Sequence, residues 1–470
     1  MNRIVLAVFV LALSVAPLAA QWLPSTELPS DSAEEGSPAV VAVSDSNLFA
    51  VWLSTYVASQ ERQVRASTYE ADSGYWKTPV ALTGRSSEVS TTGPTLTVDP
   101  VSGGLWAAFY LGSFPVDYPW GIYTVRISTT GIDTPRLAMP DTGVGNVLLR
   151  YNGNVRVGMA WTDVSGSGMD MYSSVWYSQM DSDTWVRRQL VAQGTGTPSV
   201  IDCTEPALCR DTGDHFFLAW SRVVQSPPSS EVHITRVPDT ATIGVFPGSA
   251  PANVYDMNGT LLASNMVTDG SNHHLLTRFY RNGTWSDPET LTSDESPDIR
   301  HRVALDPEGL FWIIYCEGGI PPYRILARHY SGDRWSAPET VGTGNYEADP
   351  TIVSTYSGNL WAVWRGAGTG GARIFVSRRN GRPGLAEQRQ VAVQPLRVVP
   401  TISRSGFTVA AGNAGPVTVY NATGQAVAAL RTGETGRLRW NGTNSAGSRV
   451  PPGVYAIRAG TGRAQKVVVR

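Results

Sequence analysis

Cysteine, histidine and charge are all scarce in this chain. Three cysteines and six histidines are spread over 470 residues. They form no cluster with metal-ligand spacing, so no metal site and no cofactor are expected. Charged side chains make up 16% of the sequence and the net charge is −2. With no basic stretch to neutralise a phosphate backbone, nucleic acid is not an expected partner. Long stretches rich in Ala, Glu, Lys and Leu are missing too, which argues against a helical protein. After residue 20 no run is apolar enough to span a bilayer.

Glycine, proline and tryptophan, by contrast, are plentiful, at 47, 31 and 15 residues. That mixture favours short strands joined by turns. The first 20 residues, "MNRIVLAVFVLALSVAPLAA", carry an early Arg3, an apolar run from Ile4 to Val15 and then small residues. They read as a Sec-type signal peptide cleaved after Ala20. The mature chain is therefore expected to be secreted or held at the cell surface, with no membrane span after cleavage. In such a compartment Cys203 and Cys209, which bracket "TEPAL", either close a small disulfide loop or remain two buried thiols. Cys316 has no partner.

An apolar phrase with an aromatic or methionine end recurs along the chain. Its copies are "NLFAVW" (47–52), "GLWAAF" (104–109), "VRVGMAW" (155–161), "HFFLAW" (215–220), "LLASNM" (261–266), "GLFWIIY" (309–315) and "NLWAVW" (359–364). The mean spacing from Trp52 to Trp364 is about 52 residues, in the range of propeller repeats. Pro38, Pro94, Pro206, Pro251, Pro297 and Pro350 precede most copies and are expected to open a first strand, where a missing N–H costs nothing. Asp-, Gly- and Asn-rich turns follow, then a third strand, then a fourth starting at Trp76, Trp185, Trp285 or Trp335. Four antiparallel strands repeated seven times predict a seven-bladed β-propeller over residues 21–390.

The seventh unit lacks its fourth strand. "QWLPSTEL" (21–28) has the form of "RWSAPETV" (334–341) and supplies it. The N-terminal strand thus closes the ring and removes two exposed edges, with Trp22 in the place of Trp335 and Glu27 at or near that of Glu339. The repeated tryptophans are expected to pack between neighbouring blades. A ring of sugar-stacking platforms is the alternative.

The units resemble sialidase-like propellers of the BNR-repeat type, through phrases such as "SPDIRHRVALDPEGLFWIIY" and "GDRWSAPETV". Members carry an Asp-box, of which "EADSGYW" (70–76) keeps Asp72, Gly74 and Trp76 but lacks the Ser. The resemblance implies a propeller fold. A sialidase also needs an arginine cluster, a Tyr/Glu nucleophile pair and an acidic proton donor. Arg126, Arg236, Arg278, Arg328 and Arg378 recur instead at equivalent third-strand positions, which reads as blade-to-blade contact, and no nucleophile can be assigned.

Ligand binding in a propeller falls on the face shared by the loops joining strands 2 to 3 and strand 4 to the next strand 1. The loops "LGSFPVDYPWG" (111–121), "CEGGIPPYR" (316–324) and the glycine-rich "RGAGTGGAR" (365–373) nominate Phe114, Tyr118, Trp120, Glu317, Tyr323 and Arg365. Aromatics beside a few polar groups suit a glycan or a protein surface.

Residues 391–470 leave the repeat and alternate in short strands, predicting a small Ig-like β-sandwich. "VTVYNATGQAV", "WNGTNSAG", "PGVYAIR" and "KVVVR" resemble the C-terminal sorting domain of type IX secretion cargo and the Ig-like domain of flagellar hook-capping proteins. On that resemblance Trp440, Gly442, Gly447, Gly453, Tyr455 and Lys466 form the sorting motif, and the export machinery is a partner. The expectation is a secreted or surface bacterial propeller that recognises glycans or another surface ligand without catalysis. A sialidase-like glycoside hydrolase and a structural envelope component are the alternatives.

Overall fold

The recurring aromatic phrases form the second strand of each sheet, and burial on both faces explains why they read as nearly unbroken apolar runs. Leu105–Leu111 is buried at every position and Phe311–Cys316 likewise. The computed structural model describes residues 22–380 and 397–470. Short breaks fall at 31–32, 72–73, 88, 91, 99–103, 113–118, 129–130, 141–143, 152–155, 167–170, 182–183, 197–200, 212–214, 226–227, 257, 270–271, 293–299, 319–321, 369, 400–401, 404–405, 411–415, 422–424, 432–436, 445–446 and 460–464. Residues 1–20, expected to be a signal peptide, and Phe114 and Tyr118 lie outside the described residues. The chain divides into two compact units, Met1–Arg382 and Pro383–Arg470.

The fold is all-β. Among the described residues the first unit holds seven antiparallel sheets of four or five strands. Their first strands are Glu34–Ala42, Thr95–Val98, Val144–Tyr151, Ile201–Arg210, Ser249–Tyr255, His301–Leu305 and Glu347–Ser354, here called the inner strands of sheets 1 to 7. Each inner strand neighbours the next, and that of sheet 7 neighbours that of sheet 1. This closed circuit of sheets is a propeller, with the inner strands as the wall of its central channel.

The closing strand comes from the N-terminus. Thr26–Glu27 pairs antiparallel with Gly371–Arg379 of sheet 7, Thr26 opposite Val376 and Glu27 opposite Phe375. Trp22 bridges to Arg379 as Trp335 does to Tyr330 in sheet 6. In the same register Thr26 takes the place of Glu339, and Glu27 stands one residue further on. Arg373 secures the seam: its guanidinium donates to the carbonyl of Ala33 at 2.6 Å and lies 3.4 Å from Glu27.

The fourth-strand tryptophans pack on the preceding sheet. Trp335 is buried against Phe279 and donates to Thr277 Oγ1 at 3.2 Å. Trp285 donates to the Ile243 carbonyl at 2.7 Å and meets Phe246 edge-on. Trp76 lies edge-on to Trp361, and Trp22 is buried in the cluster around Trp312. Each large ring removes up to ~200 Å² from water, worth on the order of 5 kcal/mol at 25 cal/mol per Å². The tryptophans are thus interblade mortar.

One local expectation is corrected. The prolines do not open most inner strands; they lie inside them, at bulges. Register shifts occur between Gly36 and Ala39, Thr204 and Ala207, Ser249 and Ala252, and Ala348 and Thr351. A proline cannot donate to the ladder, so the extra residue is accommodated there. The residue before it turns to positive φ: Ser37 at 50°, Glu205 at 52°, Ala250 at 48° and Asp349 at 50°.

The second unit is a two-sheet sandwich, one sheet of three strands and one of five among the described residues. Its core is built on Val398, Phe407, Val409, Trp440, Tyr455, Ile457 and Val467.

Candidate functional site at the channel mouth

In each sheet one residue stands at the start of the inner wall, beside the end of the second strand, and in sheets 1, 3, 4, 5 and 7 a bulge lies there. Those positions break the repeat: Ser37, Gly93, Asn146, Glu205, Ala250, Arg300 and Asp349. Non-glycine residues at positive φ cost roughly 1 kcal/mol or more each and gather where backbone aim matters. Four of these positions, Ser37, Glu205, Ala250 and Asp349, are of this kind.

Arginines dominate that end. Arg300 is paired with Asp349 across sheets 6 and 7 and is 63% exposed. Arg302 on sheet 6 lies near the start of its inner strand, whereas Arg150 on sheet 3 is the last residue but one of its own, deeper in the channel, where the charge of Arg302 acts on it. Both still meet solvent inside the channel, but the surrounding strands displace bulk water. Desolvation lowers both guanidinium pKa values; Arg302 lowers Arg150 further, and Asp349 works in the opposite direction on Arg302. Arginine remains charged all the same. Glu205 faces Arg302 more distantly and accepts from Ser221 Oγ at 3.0 Å and from the Ala250 N–H at 2.7 Å, which ties sheet 4 to sheet 5. The result is a cation-rich mouth with acids held as acceptors.

Two further carboxyls are buried two residues earlier on their strands. Glu347 accepts a hydrogen bond from Trp364 Nε1, and burial pushes its pKa up to about 7. Glu35 is the equivalent residue of sheet 1, buried beside Trp52, and its pKa is raised by desolvation against opposing effects of Ser30, Trp52 and Arg373. The placement of a buried Glu beside a second-strand Trp recurs in adjacent sheets and belongs to the scaffold.

The residues nominated from the sequence divide between places. "RGAGTGGAR" is a tight hairpin rather than a loop: Arg365–Gly368 and Gly371–Arg373 are strand, with Gly368 opposite Gly371. Its glycines leave room for neighbours; a Cβ on Gly366 would lie 2.8 Å from Phe375 and one on Gly368 2.4 Å from Arg373. Arg365 Nη1 donates to Tyr346 Oη at 3.2 Å, and the guanidinium stands 5.1 Å from that ring's centroid. Tyr323 meets the same ring edge-on at 6.1 Å. Glu317 is engaged by Arg324. Tyr323 and Arg365 are therefore brought together by Tyr346, which sequence reasoning missed. Trp120 is 41% exposed in sheet 2, two sheets round the ring from Arg365.

Cys203 and Cys209 are free. They lie six residues apart on one extended strand, which separates their Cα atoms by roughly 20 Å, against the ~5.5 Å a disulfide needs. The bulge at 204–207 also turns them into different cores, Cys203 with Phe216 and Cys209 with Phe217. Burial pushes Cys203 up to about 11 and raises Cys209 as well.

The recurring third-strand arginines do not converge. Arg126 lies over Trp106, Arg378 over Trp361 and Arg278 over Phe246; Arg236 pairs with Asp211, and Arg328 donates to the Ser336 and Leu291 carbonyls. In the second unit, Trp440 is fully buried and donates to the Thr443 carbonyl, Gly442 and Gly447 take φ of 78° and 80° in tight turns, and Gly453 opens the strand that buries Tyr455. Lys466 is exposed on the last strand. Among the described residues no group of three or more His, Cys, Asp and Glu could hold a metal.

No protein-family model matches the chain, and no curated protein does either. Solved structures do. The polysaccharide lyase Uly1 is 10% identical with a TM-score of 0.50, over 73% of this chain and 90% of that one. A PL25 ulvan lyase bound to -[GlcA(1-4)Rha3S]- is 10% identical with a TM-score of 0.52, over 75% and 95%. Trypanosoma rangeli sialidase, in complex with sialic acid, is 11% identical with a TM-score of 0.41, over 94% and 72%. At such identity the likeness to the two lyases shows a shared propeller fold.

Proposed function

We propose that this chain is a recognition propeller for an acidic saccharide, which it binds at the channel mouth without turning it over. The observation that carries the reading is the placement of Arg150, Arg300 and Arg302 at repeat-breaking or channel-facing positions in an otherwise charge-poor protein. Two guanidinium groups that repel each other in a confined channel are relieved by an anion that bridges them, and carboxylates and sulfates match arginine's planar fork. The ulvan lyase of the same fold is bound to a GlcA-containing saccharide, which supports a ligand of this class. Secretion or surface display, with the C-terminal sandwich as the export or attachment module, belongs to the same proposal.

A hydrolytic reading would draw on Glu205 and Asp349. Both are occupied as acceptors, by Ser221 and Ala250 and by Arg300 respectively. Tyr315 is no ready nucleophile, since burial pushes its hydroxyl up to about 12.

Calorimetric titration with oligogalacturonates, sialyllactose and neutral cello-oligosaccharides tests the proposal. Acidic sugars should bind with salt-sensitive affinity, neutral ones at least tenfold more weakly, and Arg150→Ala with Arg302→Ala should abolish the preference. Equal binding of neutral and acidic sugars, or release of new sugar ends over hours, would overturn it.

A further inference from the structure

The cluster at Tyr346 lies on the same face as the arginine mouth but outside the channel. Tyr346 stands just before the strand Glu347–Ser354, three residues ahead of Asp349, so at most about 10 Å of chain separates their backbones, the reach of a short oligosaccharide rather than of a single ring. The ring is fixed in place: Arg365 covers it and holds its hydroxyl, Tyr323 abuts its edge, and its backbone carbonyl accepts from the Ala367 N–H. It nonetheless keeps 41% of its surface open.

Arg365 is also fixed. It packs over Gly36 of sheet 1, where a Cβ would come within 3.4 Å of its side chain, and its buried Nε has no hydrogen-bond partner among the described residues. Beside it Arg324 and Glu317 neutralise one another at the end of sheet 6. Rigid aromatic area with one exposed face, flanked by a guanidinium, suits a pyranose ring bearing hydroxyl and acidic substituents.

We propose that Tyr346, Arg365 and Tyr323 form an outer subsite, at the junction of sheets 6, 7 and 1, that stacks a further ring of the acidic saccharide whose anionic group occupies the arginine mouth. This rests on the reading given above. The outer subsite adds length recognition: one ring satisfies the mouth, and a longer chain reaches the tyrosine.

The test is a titration with mono-, di- and trigalacturonate on the full chain. Wild type should gain about tenfold or more in affinity from one ring to three. Tyr346→Ala should lose that gain and bind the single ring as wild type does; Tyr346→Phe, which keeps the stacking face, should retain most of it. An equal melting temperature for both variants establishes that the loss is local. If the single ring binds and Tyr346→Ala keeps the full length gain, the subsite is wrong while the mouth stands. If wild type binds no acidic sugar of any length, the mouth itself is wrong and the subsite falls with it.

Discussion

Ser377 Oγ donates a 2.6 Å hydrogen bond to the carbonyl oxygen of Leu23, 354 positions away in sequence. Together with the Trp22–Arg379 bridge and the grip of Arg373 on Ala33, it makes the ring's final sheet a joint product of both ends of the propeller.

Removing the closing strand should therefore cost more than its few residues suggest. Trp22→Ala empties a buried site beside Trp312 and is expected to destabilise the propeller by ~3–5 kcal/mol. Deleting residues 21–30 should do at least as much, because it also exposes the edge of Gly371–Arg379. Thermal melting of both variants against wild type checks this; an unchanged curve would contradict the pairing.

Most of this architecture was legible in the sequence because a buried strand and an interblade tryptophan announce themselves by residue type and spacing. Trp22 gave away the seam for the same reason. The channel mouth was not legible in that way. Arg150 and Arg302 sit on strands and Arg300 directly before one, whereas loops drew attention. The sixth repeat also carries Pro297 18 residues before Tyr315 rather than 14 or 15, which hid Arg300 from its equivalents Glu205 and Asp349. Aligning the repeats on the ladder partner of each second strand, instead of on proline, exposes the set. Of the two alternatives left open for Cys203 and Cys209, the buried thiols hold, and the sequence could not choose because a bulge, invisible in it, turns the two into separate cores.

Glu347 ties stability to pH in a definite direction. Its folded pKa, about 7, lies above its ordinary value of 4.5. Between those values the folded state holds a proton that the unfolded chain has released, so stability falls as pH rises through this window and levels off above it. The drop is at most on the order of 3 kcal/mol, reduced by solvent screening of the incompletely buried carboxyl. Glu347→Gln keeps an acceptor for Trp364 and should flatten this part of the profile, with its largest gain in melting temperature above pH 7. A profile identical to wild type would refute the assignment. Glu35, raised for the same reason, leaves a residual slope of the same sign.

The thiols should be silent in the folded protein. Cys203, Cys209 and Cys316 are all buried, and Cys203 and Cys209 are further held in the protonated form. At neutral pH a thiol-reactive probe is expected to label none of them until denaturant is added, and then all three. Mass spectrometry of the non-reduced protein should show no loss of two hydrogens between Cys203 and Cys209.

Because the last blade borrows its outer strand from the front of the propeller, the chain cannot mature in order of emergence. The segment around Trp22 has to wait, unpaired, until Arg379 is delivered, and loop closure over such a separation is slow. A protein released from an export channel N-terminus first would hold this adhesive end free throughout transit, and would lock into a finished circle only when its propeller had wholly crossed.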